Sequence, residues 1–121
     1  MARILIIDDD VPLRGAVATM LTARGHETAE AGDAHSGVLE ARAKPPDLII
    51  MDVQMPAGGG PMVLQSLKSH EELADIPVIV VSGMPEAQLK KWFPNTPKRR
   101  CHTKPINWNL LAMQIDELLS A

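Results

Sequence analysis

Three carboxylates, Asp8, Asp9 and Asp10, follow directly on the apolar run Ile4-Leu5-Ile6-Ile7. A further one, Asp52, ends a second run, Leu48-Ile49-Ile50-Met51. Ser82 closes a third, Ile76 to Val81, and Lys104 follows the shorter candidate strand Arg99 to Thr103. Unpaired carboxylates held close together repel and raise each other's pKa, and a hard divalent cation relieves that. Carboxylates, a carbonyl and water in octahedral geometry describe a Mg2+ site, and Mg2+ favours one or two carboxylates plus phosphate oxygens. A phosphoryl group there needs further positive charge and a hydroxyl donor, roles that Lys104 and Ser82 fit. The set reads as an Asp nucleophile, Asp52, accepting a phosphoryl group with metal help. Plainer roles exist for each residue taken alone. Asp8 to Asp10 can favour the positive end of a helix, Asp52 and Ser82 can cap or turn, and Lys104 can be solvated.

The chemistry requires a scaffold that brings these residues together. Continuous apolar runs suit strands buried on both faces of a parallel sheet. Between them the period turns helical. Leu13, Val17, Met20 and Leu21 mark a first helix from Val11, with Pro12 in its first turn and Gly25 at its end. His26 to Ala31 reads as a weak strand, and Asp33 caps a second helix carrying Ala34, Val38 and Ala41. After Met55-Pro56, Gly58-Gly59-Gly60 reads as a flexible turn and Pro61 as the opening of a third helix. A short helix spans Pro85 to Phe93, and Trp108, Leu111, Ile115 and Leu118 mark the last. Five β-α units in strict alternation mean a parallel sheet with helices on both faces. The two weak strands suit its edges. That gives an α/β fold, a flavodoxin-like three-layer αβα sandwich of order 2-1-3-4-5, whose ligands bind at the carboxyl ends of the strands.

A length of 121 residues predicts one domain, 1–121, and the chain stops after its fifth helix, so no attached output domain is expected. Cys101 is the only cysteine, which excludes an internal disulfide. No apolar run approaches the ~20 residues that span a membrane, and no signal peptide opens the chain, so a cytoplasmic location is expected. The net charge of -3 argues neither for nor against nucleic acid.

The acidic pair, the central Asp, the Ser and the Lys-Pro pair closely resemble the receiver domains of two-component response regulators, of the single-domain chemotaxis-regulator type. The resembling segments are Ile4 to Asp9, Asp47 to Asp52, Met55-Pro56 with Gly60, Val80 to Gly83, and Lys104-Pro105-Ile106. The resemblance implies Asp52 as phosphoacceptor, Asp9 as a direct Mg2+ ligand and Asp8 as an acidic partner acting partly through water. It implies that Gln54 lends its backbone carbonyl to the metal and that Ser82 and Lys104 bind phosphoryl oxygens. Gly83 matches the small residue that leaves the site open. A histidine kinase or phosphotransfer protein is the implied phosphodonor, and the chain is expected to catalyse only its own phosphorylation and dephosphorylation.

Two departures from the family stand out. Receivers commonly carry Tyr or Phe three residues before the Lys-Pro pair, where the ring reports activation; here the residue is Cys101. The output face would then change by another route, through the short fourth helix. Basic neighbours would lower the thiol pKa and allow a redox role. The second departure is charge. Lys90, Lys91, Lys98, Arg99, Arg100 and Lys104 are unbroken by any acid, with Trp92 and Phe93 among them. The segment maps to the fourth helix and fifth strand, the family's usual docking surface. It reads equally as a solvated basic edge that discourages strand pairing and as a docking site for an acidic partner. Direct DNA binding is a poor fit for one short patch on an acidic protein.

Other functions compete with a phosphorylated receiver. One is a pseudo-receiver that binds a partner without phosphorylation. Another is a haloacid-dehalogenase-like phosphatase, for which Asp8-Asp9-Asp10 offers an Asp-x-Asp start; Pro12 stands where that motif wants Thr or Val.

Overall fold

Asp10 and Asp33 explain where the first two helices begin. In a computed structural model that describes residues 1–54 and 59–120, each accepts a hydrogen bond from a backbone N–H three residues on, Leu13 at 3.0 Å and Ser36 at 2.8 Å. These bonds satisfy amides that a helix start leaves without partners. The helices are α1 (Val11–Ala23) and α2 (Ala34–Ala43), and Gly25 past the end of α1 takes φ 90, a conformation that favours glycine. Strands β1 (Arg3–Ile7), β2 (Glu27–Ala31), β3 (Leu48–Asp52), β4 (Val78–Ser82) and β5 (Arg99–Thr103) alternate with the helices. The remaining helices are α3 (Gly59–Lys68), α4 (Glu86–Trp92) and α5 (Trp108–Ser120).

The sheet is wholly parallel in the order β2-β1-β3-β4-β5, as expected. Every residue of β3 and β4 is buried, which accounts for their unbroken apolar runs. Side chains alternate between two layers. Leu5, Ile7, Ile49, Met51, Val78 and Val80 pack with Ala41, Val63, Leu67 and Leu89 from α2, α3 and α4. Ile4, Ile6, Leu48, Ile50, Ile79 and Val81 pack with Val17, Leu21, Leu111 and Ile115 from α1 and α5. Gly37 brings α2 close to β1: a Cβ there would lie 2.5 Å from Ile7 Cδ1.

Two element starts move by two residues, while β2 (Glu27–Ala31) is shorter than expected by one residue at its start and α4 (Glu86–Trp92) by one at each end. The third helix begins at Gly59, not Pro61. A helix needs no N–H from its first residues, so proline fits inside the first turn and does not have to open it. The fourth strand begins at Val78, not Ile76, because the Ile76 N–H is held by Leu73 O at 3.2 Å in the preceding turn and Pro77 has none to give. The expected Met55-Pro56 turn and Gly58 lie outside the described residues.

Candidate functional site

The carboxyl ends of β1, β3, β4 and β5 lie side by side, and the sequence-marked residues gather there. One oxygen from each of Asp8, Asp9 and Asp52 falls within 4.8 Å of the others. Asp8 and Asp52 are buried and Asp9 is exposed. Lys104 Nζ lies 2.7 Å from Asp52 Oδ2 and 3.7 Å from Asp8 Oδ2. One ammonium therefore pairs with two of the three carboxylates. Asp52 Oδ1 accepts the Gln54 backbone N–H at 2.7 Å. Lys104 sits directly against Asp52. Its backbone N–H donates to Ser82 O at 2.8 Å, which ties its loop to the end of β4. Ser82 is fully buried, and its hydroxyl accepts the Met84 N–H at 3.1 Å.

Asp10 stands apart from the cluster as the cap of α1, the plainer role open to it. The Gln54 side chain bridges the β3 and β4 loops, its Oε1 accepting the Gly83 N–H at 2.8 Å.

The electrostatics follow from this crowding. Burial, followed by the nearby Asp52 charge, holds the Asp8 carboxyl above its usual range; the bond from the Asp10 N–H and the Lys104 charge oppose this without cancelling it. Lys104 is held above the ordinary lysine value. Burial works against its charge, but the hydrogen bond and the charge of Asp52, followed by Asp8, outweigh that.

The Asp8 shift carries a stability consequence. A carboxyl whose folded pKa is raised binds more protons folded than unfolded, so stability falls as pH rises from 3.8 through the folded value. Asp8→Asn is therefore expected to raise stability at pH 7 without metal by about 1 kcal/mol. The gain should vanish below pH 3.8, where both states of the wild-type group are protonated. Urea titrations at neutral and acid pH test this, and equal midpoints for both proteins at pH 7 would contradict it.

Two supporting residues carry no sequence motif. Arg14 Nη1 donates to Asp8 O at 2.7 Å while its Nε pairs with Glu30 at 2.9 Å, and the Asp8 N–H is held by Ala31 O at 3.0 Å. The Asp8 peptide is thus fixed on both sides. A single arginine on an amphipathic helix gives no sign of this in sequence. His102 is buried between β5 and α5 and bonded through both ring nitrogens.

Cys101 differs from expectation. It is buried in the layer beneath α4, and its Sγ donates to Phe93 O at 3.0 Å. Burial raises its pKa, outweighing the lowering by Lys90 and Arg99. The thiol is neither an activated redox group nor part of an exposed docking surface, because its position on β5 points inward. The same bond does link β5 to the end of α4. The basic run is also partly spent. Lys90 pairs with Glu86 one turn earlier at 2.9 Å, and Arg100 Nη1 folds back on Thr96 O at 2.5 Å and Arg99 O at 3.0 Å. Lys91 and Trp92 stay exposed, and Arg99 is half-buried. Trp108, at the start of α5, lies at the rim with 40% exposure.

The family model for the response regulator receiver domain matches residues 4–116. The chain belongs to that family. The receiver is 33% identical over 120 residues to protein PilH of Pseudomonas aeruginosa, covering 99% of each chain. It is 34% identical over 86 residues to the phosphate regulon transcriptional regulatory protein PhoB of Escherichia coli, of which the match spans 38%. Among solved structures, a response regulator from Desulfuromonas acetoxidans superposes with a TM-score of 0.86 at 27% identity, covering 99% of the receiver and 98% of that chain. The chemotaxis protein CheY4 of Vibrio cholerae shares the fold with a TM-score of 0.88 at 23% identity, covering 98% of each chain.

Proposed function

We propose that this receiver is switched by phosphorylation of Asp52. The observation that carries the reading is the pairing of a buried carboxylate with Lys104 at 2.7 Å beside two further acids. Three carboxylates with one ammonium leave excess negative charge that a divalent cation would neutralise. The donor set is all oxygen and fits Mg2+, with Asp8, Asp9, Asp52 and the Gln54 backbone carbonyl as its ligands. When bound, Mg2+ supplies positive charge to the phosphoryl oxygens.

The chain's own residues do the rest. An Asp52 carboxylate oxygen attacks phosphorus, and the bond from phosphorus to the donor's leaving group breaks. Lys104 bears on the developing charge, and Ser82 turns its hydroxyl from Met84 to a phosphoryl oxygen. The physiological donor is a histidine kinase or histidine phosphotransfer protein, and the chain catalyses only its own phosphorylation and dephosphorylation. The output is a changed affinity for a downstream protein at the face of α4, β5 and α5. Exposed Lys91 and Trp92 favour an acidic partner there. No helix among the described residues is long and apolar enough to cross a membrane, and a cytoplasmic setting suits a kinase-linked receiver.

The test is exposure to acetyl phosphate with and without Mg2+, read by mass spectrometry. Wild type is expected to gain one phosphoryl group only with metal, and Asp52→Asn none. A wild type that stays unlabelled while a control receiver is labelled would favour a protein-binding module without phosphorylation. Turnover of a phosphate ester would instead favour a phosphatase.

A further inference from the structure

We propose that His102 is a positioning residue for Lys104, acting as a neutral imidazole protonated at Nδ1; this rests on the reading of Lys104 as a phosphoryl ligand. His102 is 2% exposed on β5, opposite Val81 of β4. Its Nε2 lies 3.0 Å from the backbone nitrogen of Asn107, whose hydrogen it must accept. Nε2 therefore carries no proton. Its Nδ1 lies 2.9 Å from Gln114 Oε1 on α5. The orientation of that amide is set at its other end, where Gln114 Nε2 donates to Cys101 O at 2.8 Å. An acceptor oxygen thus faces Nδ1, which must hold the proton. Every member of the network has a partner, and no buried side-chain nitrogen or oxygen among the described residues lacks one.

The network anchors the segment that carries Lys104. That segment leaves β5 at Thr103 and enters α5 at Trp108. Near its start, the Lys104 N–H is bound to Ser82 O. At its far end, His102 takes the Asn107 N–H while Asn107 Oδ1 caps α5 through the Leu110 N–H at 3.0 Å. One imidazole thereby fixes the loop to strand and helix at once. Lys104 Nζ keeps its 2.7 Å contact with Asp52 only while that loop holds its place. A displacement of ~1 Å in a reacting group can lower a rate by about a hundredfold. Part of that loss is expected when the anchor is removed.

Two amide substitutions separate anchoring from mere packing. His102→Gln can place an acceptor where Nε2 stood; His102→Asn reaches only the Nδ1 position. With acetyl phosphate and Mg2+ on the full chain, His102→Asn is expected to be phosphorylated about tenfold more slowly, and His102→Gln within about twofold of wild type. The NMR titration of the Lys104 ε-carbon should shift to lower pH in His102→Asn alone, as the lysine leaves Asp52. Long-range 1H–15N spectra of wild type should show the Nδ1–H tautomer. Equal rates and titrations for the two variants, or a wild-type imidazole protonated at Nε2, would overturn the proposal. If wild type accepts no phosphoryl group, the phosphoacceptor reading fails, while the lysine titration and the tautomer still decide the role of His102. If His102→Asn does not fold, a shifted Lys104 titration in His102→Gln would overturn it, and an unshifted one with the Nδ1–H tautomer would support it.

Discussion

Lys104→Met is expected to slow phosphorylation by acetyl phosphate about a hundredfold, the loss typical of removing one charged stabiliser of a developing oxyanion. Its ammonium is the only positive group paired with a carboxylate of this cluster among the described residues, 2.7 Å from Asp52 and 3.7 Å from Asp8. The same change is expected to tighten Mg2+ binding by about tenfold, because the competing cation is gone and the acids repel more strongly. The two effects have opposite signs, which separates this mechanism from general damage to the site. Without metal, the variant should also be less stable at pH 7 by about 2 kcal/mol. That is less than the loss for a fully buried pair, because the Lys104 side chain keeps 26% of its exposure. A group whose folded pKa is raised contributes its stability below the unfolded value of 10.5 and loses it as pH rises through the folded value. The wild-type contribution is therefore complete at pH 7. Mg2+ should restore much of the stability to Lys104→Met and none of the rate. Phosphorylation kinetics, calorimetric Mg2+ titration and urea unfolding with and without metal check these outcomes. Weaker Mg2+ binding in the variant would contradict the pairing.

Ile49→Ala is expected to destabilise the domain by about 3–4 kcal/mol, near the upper part of the range for deleting a buried isoleucine side chain. Ile49 is fully buried at the centre of the sheet, paired with Leu5 on one side and Val78 on the other, and packed in the layer under α2 to α4. Neighbours fixed on both edges and in the facing layer cannot collapse into the space. Thr28→Ala on the edge strand β2 should change stability by no more than about 0.5 kcal/mol, since Thr28 is only half-buried and pairs on one side. Urea midpoints for the two variants give the comparison, and similar losses at both positions would contradict the burial pattern. The Ile49 variant also matters for function, because β3 carries Asp52 three residues later. With Mg2+ present throughout, it should lose phosphorylation in proportion to its unfolded fraction, and recover it when cooled.

The sequence by itself determined the sheet and its contents. A strand buried on both faces must be apolar throughout, so β1, β3 and β4 were legible as runs, and the polar strands β2 and β5 could only be edges. Alternation of strands with helical periods required a parallel sheet. Its strand ends collected Asp8, Asp9, Asp52, Ser82 and Lys104 without any further information. Helix starts at Asp10 and Asp33 were legible because a cap is a local device.

Tertiary structure decided what depends on where a side chain points and what lies above it. Cys101 has basic neighbours in sequence, but β5 turns it inward beneath α4, where burial outweighs their charge and Phe93 O accepts a hydrogen bond from the thiol. Lys90 and Arg100 count as free cations in sequence, whereas Glu86 and backbone carbonyls occupy them. Arg14 and His102 carry no motif at all. Their partners, Asp8 O, Asn107 N–H and Gln114, are main-chain groups or residues with no fixed spacing, so only the folded chain brings them within hydrogen-bonding distance. A motif records groups that must be of a given type. The supports that hold those groups can come from any residue of suitable length, and the packing of helix on sheet selects which.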